Sequence, residues 1–183
     1  MKMLVGNLKK IAVVSNLLEE ISDENDATYV DVIDKRLEKT NEISLEALEK
    51  FAKKIVEEIA PNKRPLEMNV FLLDLEEISV LNEKYLSNSG PTDVLAFPID
   101  DPDSETDDPV YLMGDVCICL EVAAYQAEEK GLNFKDEVAL LVTHGILHLL
   151  GYDHYEKSAE VEMKKMENIL IERHAKHLRG DDA

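Results

Sequence analysis

Tryptophan is absent, cysteine occurs twice, and aromatic residues fill only 5% of the 183 positions. Cys117 and Cys119 stand two residues apart inside an apolar run. On a strand they share a face but lie too far apart for an unstrained bridge. A disulfide scaffold is thereby excluded, and a reducing, cytoplasmic compartment is expected. Long hydrophobic runs are also missing. The longest apolar stretch near the N-terminus, Ile11 to Val14, is too short for a secretory signal, and no small-residue cleavage site follows. Nothing approaches the ~18 apolar residues needed to span a bilayer. Positive charge is scarce: 20 basic residues face 39 acidic ones, for a net charge of −19. That balance excludes a protein that coats nucleic acid or anionic lipid through broad electrostatics. What is plentiful is apolar residues, at 45%. They suffice for a packed core, so wholesale disorder is excluded, and the length suits one domain, or one domain with tails.

Periodicity orders the rest of the chain. Residues 1–25 read as an N-terminal extension, either a loosely docked tail or a short amphipathic helix over Leu8 to Ile21, where apolar residues recur at helical spacing; Asp23 to Asp26 reads as a linker. The pattern predicts a strand from Ala27, and a helix from a Ser44 cap to about Ala60, stopped by Pro61. It then predicts a strand Met68–Leu73, a helix Leu75–Leu86 and a strand Val94–Pro98. An apolar strand Val116–Leu120 precedes a helix Glu121–Lys130 ended by Gly131. Phe134–Leu150 is apolar on most faces and reads as the buried central helix; Ala159–His177 is a last amphipathic one. The expected fold is α+β: a single domain, residues 26–178, with about four strands packed with about five helices, followed by a tail, 179–183. Between Asp100 and Asp108 the acids alternate as in a calcium loop. The required glycine at the sixth position and acid at the twelfth are missing, so a solvated loop is expected.

The segment with chemical content is His144-Gly-Ile-Leu-His148-Leu-Leu-Gly151-Tyr-Asp-His154. His144 and His148 are one helical turn apart and leave the same face. Gly151 can turn the chain sharply and return His154 to the same point. Three neutral imidazoles converging in this way suit one borderline divalent ion, zinc above all, with a fourth position left for water. Such a site is catalytic in pattern and acidifies bound water. The other two histidines, His174 and His177, read as solvated side chains near a helix end. The spacing is also that of metzincin peptidases, which place a glutamate directly after the first histidine as general base. Here Gly145 stands there and cannot take a proton.

The string HGILHLLGYDH resembles the signature of the YbeY family, bacterial endoribonucleases and rRNA maturation factors. Pro91-Thr-Asp-Val-Leu-Ala-Phe-Pro98 and Gly114-Asp-Val-Cys-Ile-Cys119 are similar to two further family segments in the same order, and Leu81, Asn82 and Tyr85 match the helix end before them. The likeness covers roughly residues 27–175. It implies a metal-dependent hydrolase of single-stranded RNA that matures the 3′ end of 16S rRNA and acts in ribosome quality control. It also implies partners among small-subunit ribosomal proteins and a ribosome-associated GTPase, with neither membrane nor DNA involved. The three histidines carry over as the metal ligands. One departure is Leu86, where many members have an arginine thought to contact RNA. Lys84, or Lys63 with Arg64, are the candidate substitutes.

Several side chains have competing readings. Asp153 adjoins a ligand and is the candidate catalytic residue, orienting an imidazole or moving a proton; turn capping is the rival account. Thr92 and Asp93 either line the cleft or cap a strand. Asp115 begins the matched strand and is a candidate partner contact. Glu137, two turns before His144, reads as exposed. Cys117 and Cys119 read as core. Two other functions stand beside RNA cleavage: hydrolysis of a peptide or amide, from the metzincin spacing, and noncatalytic ribosome assembly with a structural metal.

Overall fold

Ser44 starts the first helix by accepting the Ala47 N–H on its side chain, which satisfies one of the amides left unpaired at a helix start. From there the chain alternates helix and strand as far as the third strand, adds a fourth strand, and closes with three helices in succession. In the computed structural model the described residues are 28–39, 43–60, 65–103 and 108–180. The N-terminal extension, the linker, Pro61, Lys63, Arg64 and residues 104–107 of the acidic loop lie outside them.

The elements are β1 (Thr28–Asp34), α1 (Leu45–Ile59), β2 (Leu66–Leu72), α2 (Leu75–Leu86), β3 (Val94–Pro98), β4 (Tyr111–Ile118), α3 (Leu120–Lys130), α4 (Phe134–Leu149) and α5 (Lys157–Arg179). The strands form one sheet in the order β1-β2-β4-β3. β2 lies parallel to β1 and β4, while β3 is antiparallel to β4. Among the described residues the α+β architecture has four strands and five helices, as expected.

Alternation of side chains splits the interior in two. Val70, Leu72, Val116 and Ile118 point to the face covered by α1, α4 and α5, where the main core lies. Phe71, Leu73, Cys117 and Cys119 point to the other face and pack with Ile78 of α2 and Leu95. Both thiols are free and buried, and burial pushes the Cys117 thiol up to about 12. They lie across the sheet from α4 and take no part in the site below.

Several strand and helix ends differ from the sequence pattern, β2 among them, which runs Leu66–Leu72 and not Met68–Leu73. β4 begins at Tyr111, not Val116, and Leu120 opens α3 and not a strand's end. The reason is Gly114 and Asp115, poor strand formers that sit inside the strand. Opposite Glu67 and Met68 the register shifts by one residue, so that β4 carries an extra residue, Met113. Gly114, at φ +130°, then comes so close to β3 that a Cβ there would meet the Phe97 carbonyl oxygen at 2.2 Å. α5 likewise starts at Lys157, two residues before the predicted Ala159.

Glu137 corrects another expectation. It is 1% exposed and ion-paired to Lys130 at 2.6 Å, because α3 packs along this face of α4. His174 is also not a free surface group. It is half-buried and bonds Glu58 at 2.6 Å, across the α1–α5 contact.

Candidate metal centre

α4 lies against the sheet at Gly145, which has no side chain. A Cβ at Gly145 would meet Val116 methyls at 2.6 and 3.1 Å and Val94 at 3.4 Å. The residue that would be a peptidase's glutamate is thus the residue pressed against β4, and no side chain of that size fits there. The neighbours on either side of this contact have opposite fates. Thr143 is fully buried and its hydroxyl donates to Ala139 O at 2.7 Å. His144 emerges at the helix edge, partly exposed, and His148 follows one turn later.

The helix then stops. Gly151, at φ +85°, turns the chain, and the Tyr152 N–H donates to Leu147 O at 3.0 Å. The turn brings His154 back. Its ring centroid lies 5.7 Å from that of His144 and 5.3 Å from that of His148, while those two are 4.5 Å apart. One ring nitrogen from each of the three lies within 4.8 Å of the others, so His144, His148 and His154 form a group that could hold a metal ion.

Hydrogen bonds on the far side of the rings test that fit. The His148 Nδ1–H donates to the Tyr152 carbonyl at 2.8 Å. A carbonyl can only accept, so the proton of a neutral His148 sits on Nδ1 and its Nε2 offers a lone pair. The His144 Nδ1–H donates to Glu167 Oε1 at 2.7 Å, which leaves its Nε2 in the same condition. The two Nε2 atoms face each other at 3.0 Å. Burial holds His148 below the ordinary histidine value, which favours its neutral ring. Two facing lone pairs on neutral rings repel unless a cation lies between them, so the donor set fits a borderline divalent ion. His154 is exposed, so the cluster opens towards solvent, and three protein nitrogens leave a coordination position free.

The remaining candidates are placed around this centre. The Asp153 carboxylate accepts the Tyr155 N–H at 3.2 Å, within the turn that carries His154. It also lines a cavity of about 240 Å³ with Leu150, Gly151, Tyr152, Ala159 and Glu162. Two carboxylates make that cavity a poor seat for a phosphate. Asp93 accepts the Val94 N–H and the Thr92 hydroxyl on one oxygen, and the Gln126 amide on the other. These bonds tie the start of β3 to α3. Asp115, paired across the sheet with Asn69 at 2.8 Å, is held above the ordinary carboxylate value by burial. Leu86 ends α2 and packs against the smaller cluster, while exposed Lys84 lies 5.0 Å from the Tyr85 ring centre.

Glu167 was not singled out by its sequence context. The signal was present: it falls four residues after Met163 and three before Leu170, on the stripe of α5 that is buried. An acid on that stripe requires a partner, and here the partner is His144.

The fold and the cluster together define an α+β protein with an open three-histidine centre at the end of a buried helix. The chain belongs to the Endoribonuclease YbeY family, whose profile matches residues 33–175. It is similar to the Endoribonuclease YbeY of Parafrankia sp., at 42% identity over 138 residues that cover 72% of this chain and 84% of that protein. The Frankia casuarinae protein of the same name is 44% identical over 138 residues, covering 72% of this chain. There the match spans just under two thirds of the relative, 66% of its length. The solution structure of TM1509 from Thermotoga maritima resembles this fold with a TM-score of 0.50 at 26% identity, covering 83% of this chain and 90% of that one. Among the described residues no helix is long and apolar enough to cross a membrane.

Proposed function

We propose that this chain is a metal-dependent endoribonuclease of single-stranded RNA, with His144, His148 and His154 as the ligands of one zinc ion. The reading rests above all on the convergence of three imidazole nitrogens within 4.8 Å, two of them with their Nε2 lone pairs turned to a common point. Membership of the Endoribonuclease YbeY family supports RNA as the substrate. Residues 26–178 form the hydrolase domain, flanked by the 1–25 extension and the 179–183 tail.

A divalent ion held by His144, His148 and His154 would supply Lewis acidity, acidifying water and offsetting charge on a phosphoryl oxygen. The chain does the rest. Tyr152 O and Glu167 fix the two α4 imidazoles in the tautomer that presents Nε2. Asp153 directly precedes His154 and is the proposed group for orienting an incoming hydroxyl or taking its proton, beside the turn-capping bond it accepts from the Tyr155 N–H. Gly145 excludes the glutamate that a peptidase of this spacing uses, which disfavours peptide hydrolysis. The biological substrate is the 3′ end of 16S rRNA, with a further role in ribosome quality control. Small-subunit ribosomal proteins and a ribosome-associated GTPase are the partners, in the cytoplasm.

The test offers purified protein single-stranded RNA, casein and buffer alone, beside His144→Ala and chelated controls. Cleavage of RNA only, abolished in both controls, is the expected result. RNA cleavage that survives His144→Ala overturns the metal reading. Intact RNA together with melting on chelation marks the metal as structural and the protein as a noncatalytic assembly factor, the role that Leu86 in place of a charged side chain would fit.

A further inference from the structure

α5 and α4 each bury a carboxylate, and the two are neutralised differently. Glu137 on α4 is 1% exposed and meets a lysine, Lys130, at 2.6 Å. Glu167 on α5 is 8% exposed, and its partner at ion-pair distance is His144, at 2.7 Å. Lys164, three residues earlier on α5, is engaged by Glu160 at 2.5 Å. A buried carboxylate is unfavourable unless a positive charge or several donors face it. A neutral imidazole offers one N–H and no charge. A divalent ion held by His144 would supply further positive charge through that ring.

The two α4 histidines are also held unequally. His148 donates to a backbone carbonyl, whereas His144 donates to a carboxylate. A carbonyl fixes a tautomer. A carboxylate does this too, and raises the basicity of the ring nitrogen that faces the metal. It also comes from a different element. α5 follows directly on the turn that carries His154, so the packing of α5 against α4 sets the positions of Glu167 and His154 together.

We infer that Glu167 is a positioning residue for the divalent ion: it acts through His144 Nδ1 to set metal affinity and makes that affinity depend on the docking of α5. This rests on the proposed metal centre, and it adds a residue from another helix to it.

The experiment uses the full-length protein and zinc alone, without RNA. Zinc affinity is read by competition with a chromophoric chelator, the visible absorption of the cobalt(II) form is recorded, and the metal-free unfolding midpoint is measured in urea. Glu167→Gln keeps the shape and one acceptor but loses the charge; Glu167→Ala loses both. Zinc affinity is expected to fall by about tenfold to a hundredfold, the range for removing such a partner. The loss is larger for Ala than for Gln, and the cobalt band shifts in both. If Glu167→Ala does not fold, Glu167→Gln, nearly identical in shape, decides the matter. A purely structural Glu167 would move the metal-free midpoint and leave zinc affinity within twofold; that result overturns the inference while the metal centre stands. A parent protein that binds no zinc overturns both.

Discussion

Gly145 is the residue on which the geometry of the centre turns. In a helix, glycine to alanine gains about 1 kcal/mol from propensity alone. Here the new Cβ would lie 2.6 Å from a Val116 methyl, inside a fully buried contact. Valine is stiff at χ1, so the clash is not relieved by rotation, and overpacking of this kind costs about 1–3 kcal/mol. Gly145→Ala is therefore expected to lower stability and to displace α4, and with it His144. Urea unfolding checks the first, and zinc affinity the second. Adding Val116→Ala to the same chain opens the space and should recover zinc binding. A Gly145→Ala protein that is more stable than its parent and binds zinc as well would contradict the close-approach argument. The histidine cluster itself was legible from sequence because it is local: a helical repeat of four, then a glycine that ends the helix. Glu167 was not. Its position on an inward stripe is readable, but which helix that stripe meets is set by packing between segments 23 residues apart.

At the scale of elements, α5 is tied to α1 as well as to α4. Glu58 of α1 bonds His174 at 2.6 Å and pairs with Arg173. The hydrogen bond from His174, then that from Arg173, hold the Glu58 carboxyl below its ordinary value of 4.5, against the opposing effect of burial. A carboxyl whose pKa is depressed on folding binds its proton more weakly in the folded state. Its contribution is then complete above the ordinary value and is lost as pH falls through the lower, folded value. The parent is thus expected to lose stability more steeply than Glu58→Gln below pH 4.5. Urea midpoints at a series of acidic pH values measure this, and parallel curves for the two proteins would contradict it. The sequence pattern located all nine elements among the described residues, and it misjudged the ones whose ends depend on distant chain. The start of β4 was hidden from periodicity because Gly114 and Asp115 are poor strand formers. Only the pairing with β2 and β3 makes a strand of them, through a bulge at Met113 and a contact with Phe97 that nothing larger than glycine permits. Glu137 and His174 were misread for a related reason. Each is polar on a helix face that is buried by another helix.

Over the whole molecule the charge of −19 sets how RNA is met. The acids are spread over the strand edge, the acidic loop and the outer faces of helices, and the proposed cation is a local exception. Neutralising phosphates needs clustered Lys and Arg, and each such contact steepens the dependence of affinity on salt. Affinity for arbitrary free RNA or duplex DNA should accordingly be weak at physiological salt. Filter binding or fluorescence anisotropy across a salt series measures it. Tight binding to either would contradict the reading. Recognition is then expected to come through basic partner proteins whose surfaces complement this one.

The most direct measurement is cleavage of a labelled single-stranded RNA by metal-stripped protein, titrated with zinc. The account predicts no cleavage without metal, activity that rises to a plateau at one equivalent per chain, and no activity in His148→Ala at any zinc concentration used. Cleavage that does not respond to zinc, or that persists in His148→Ala, would contradict a three-histidine metal centre as the seat of the chemistry.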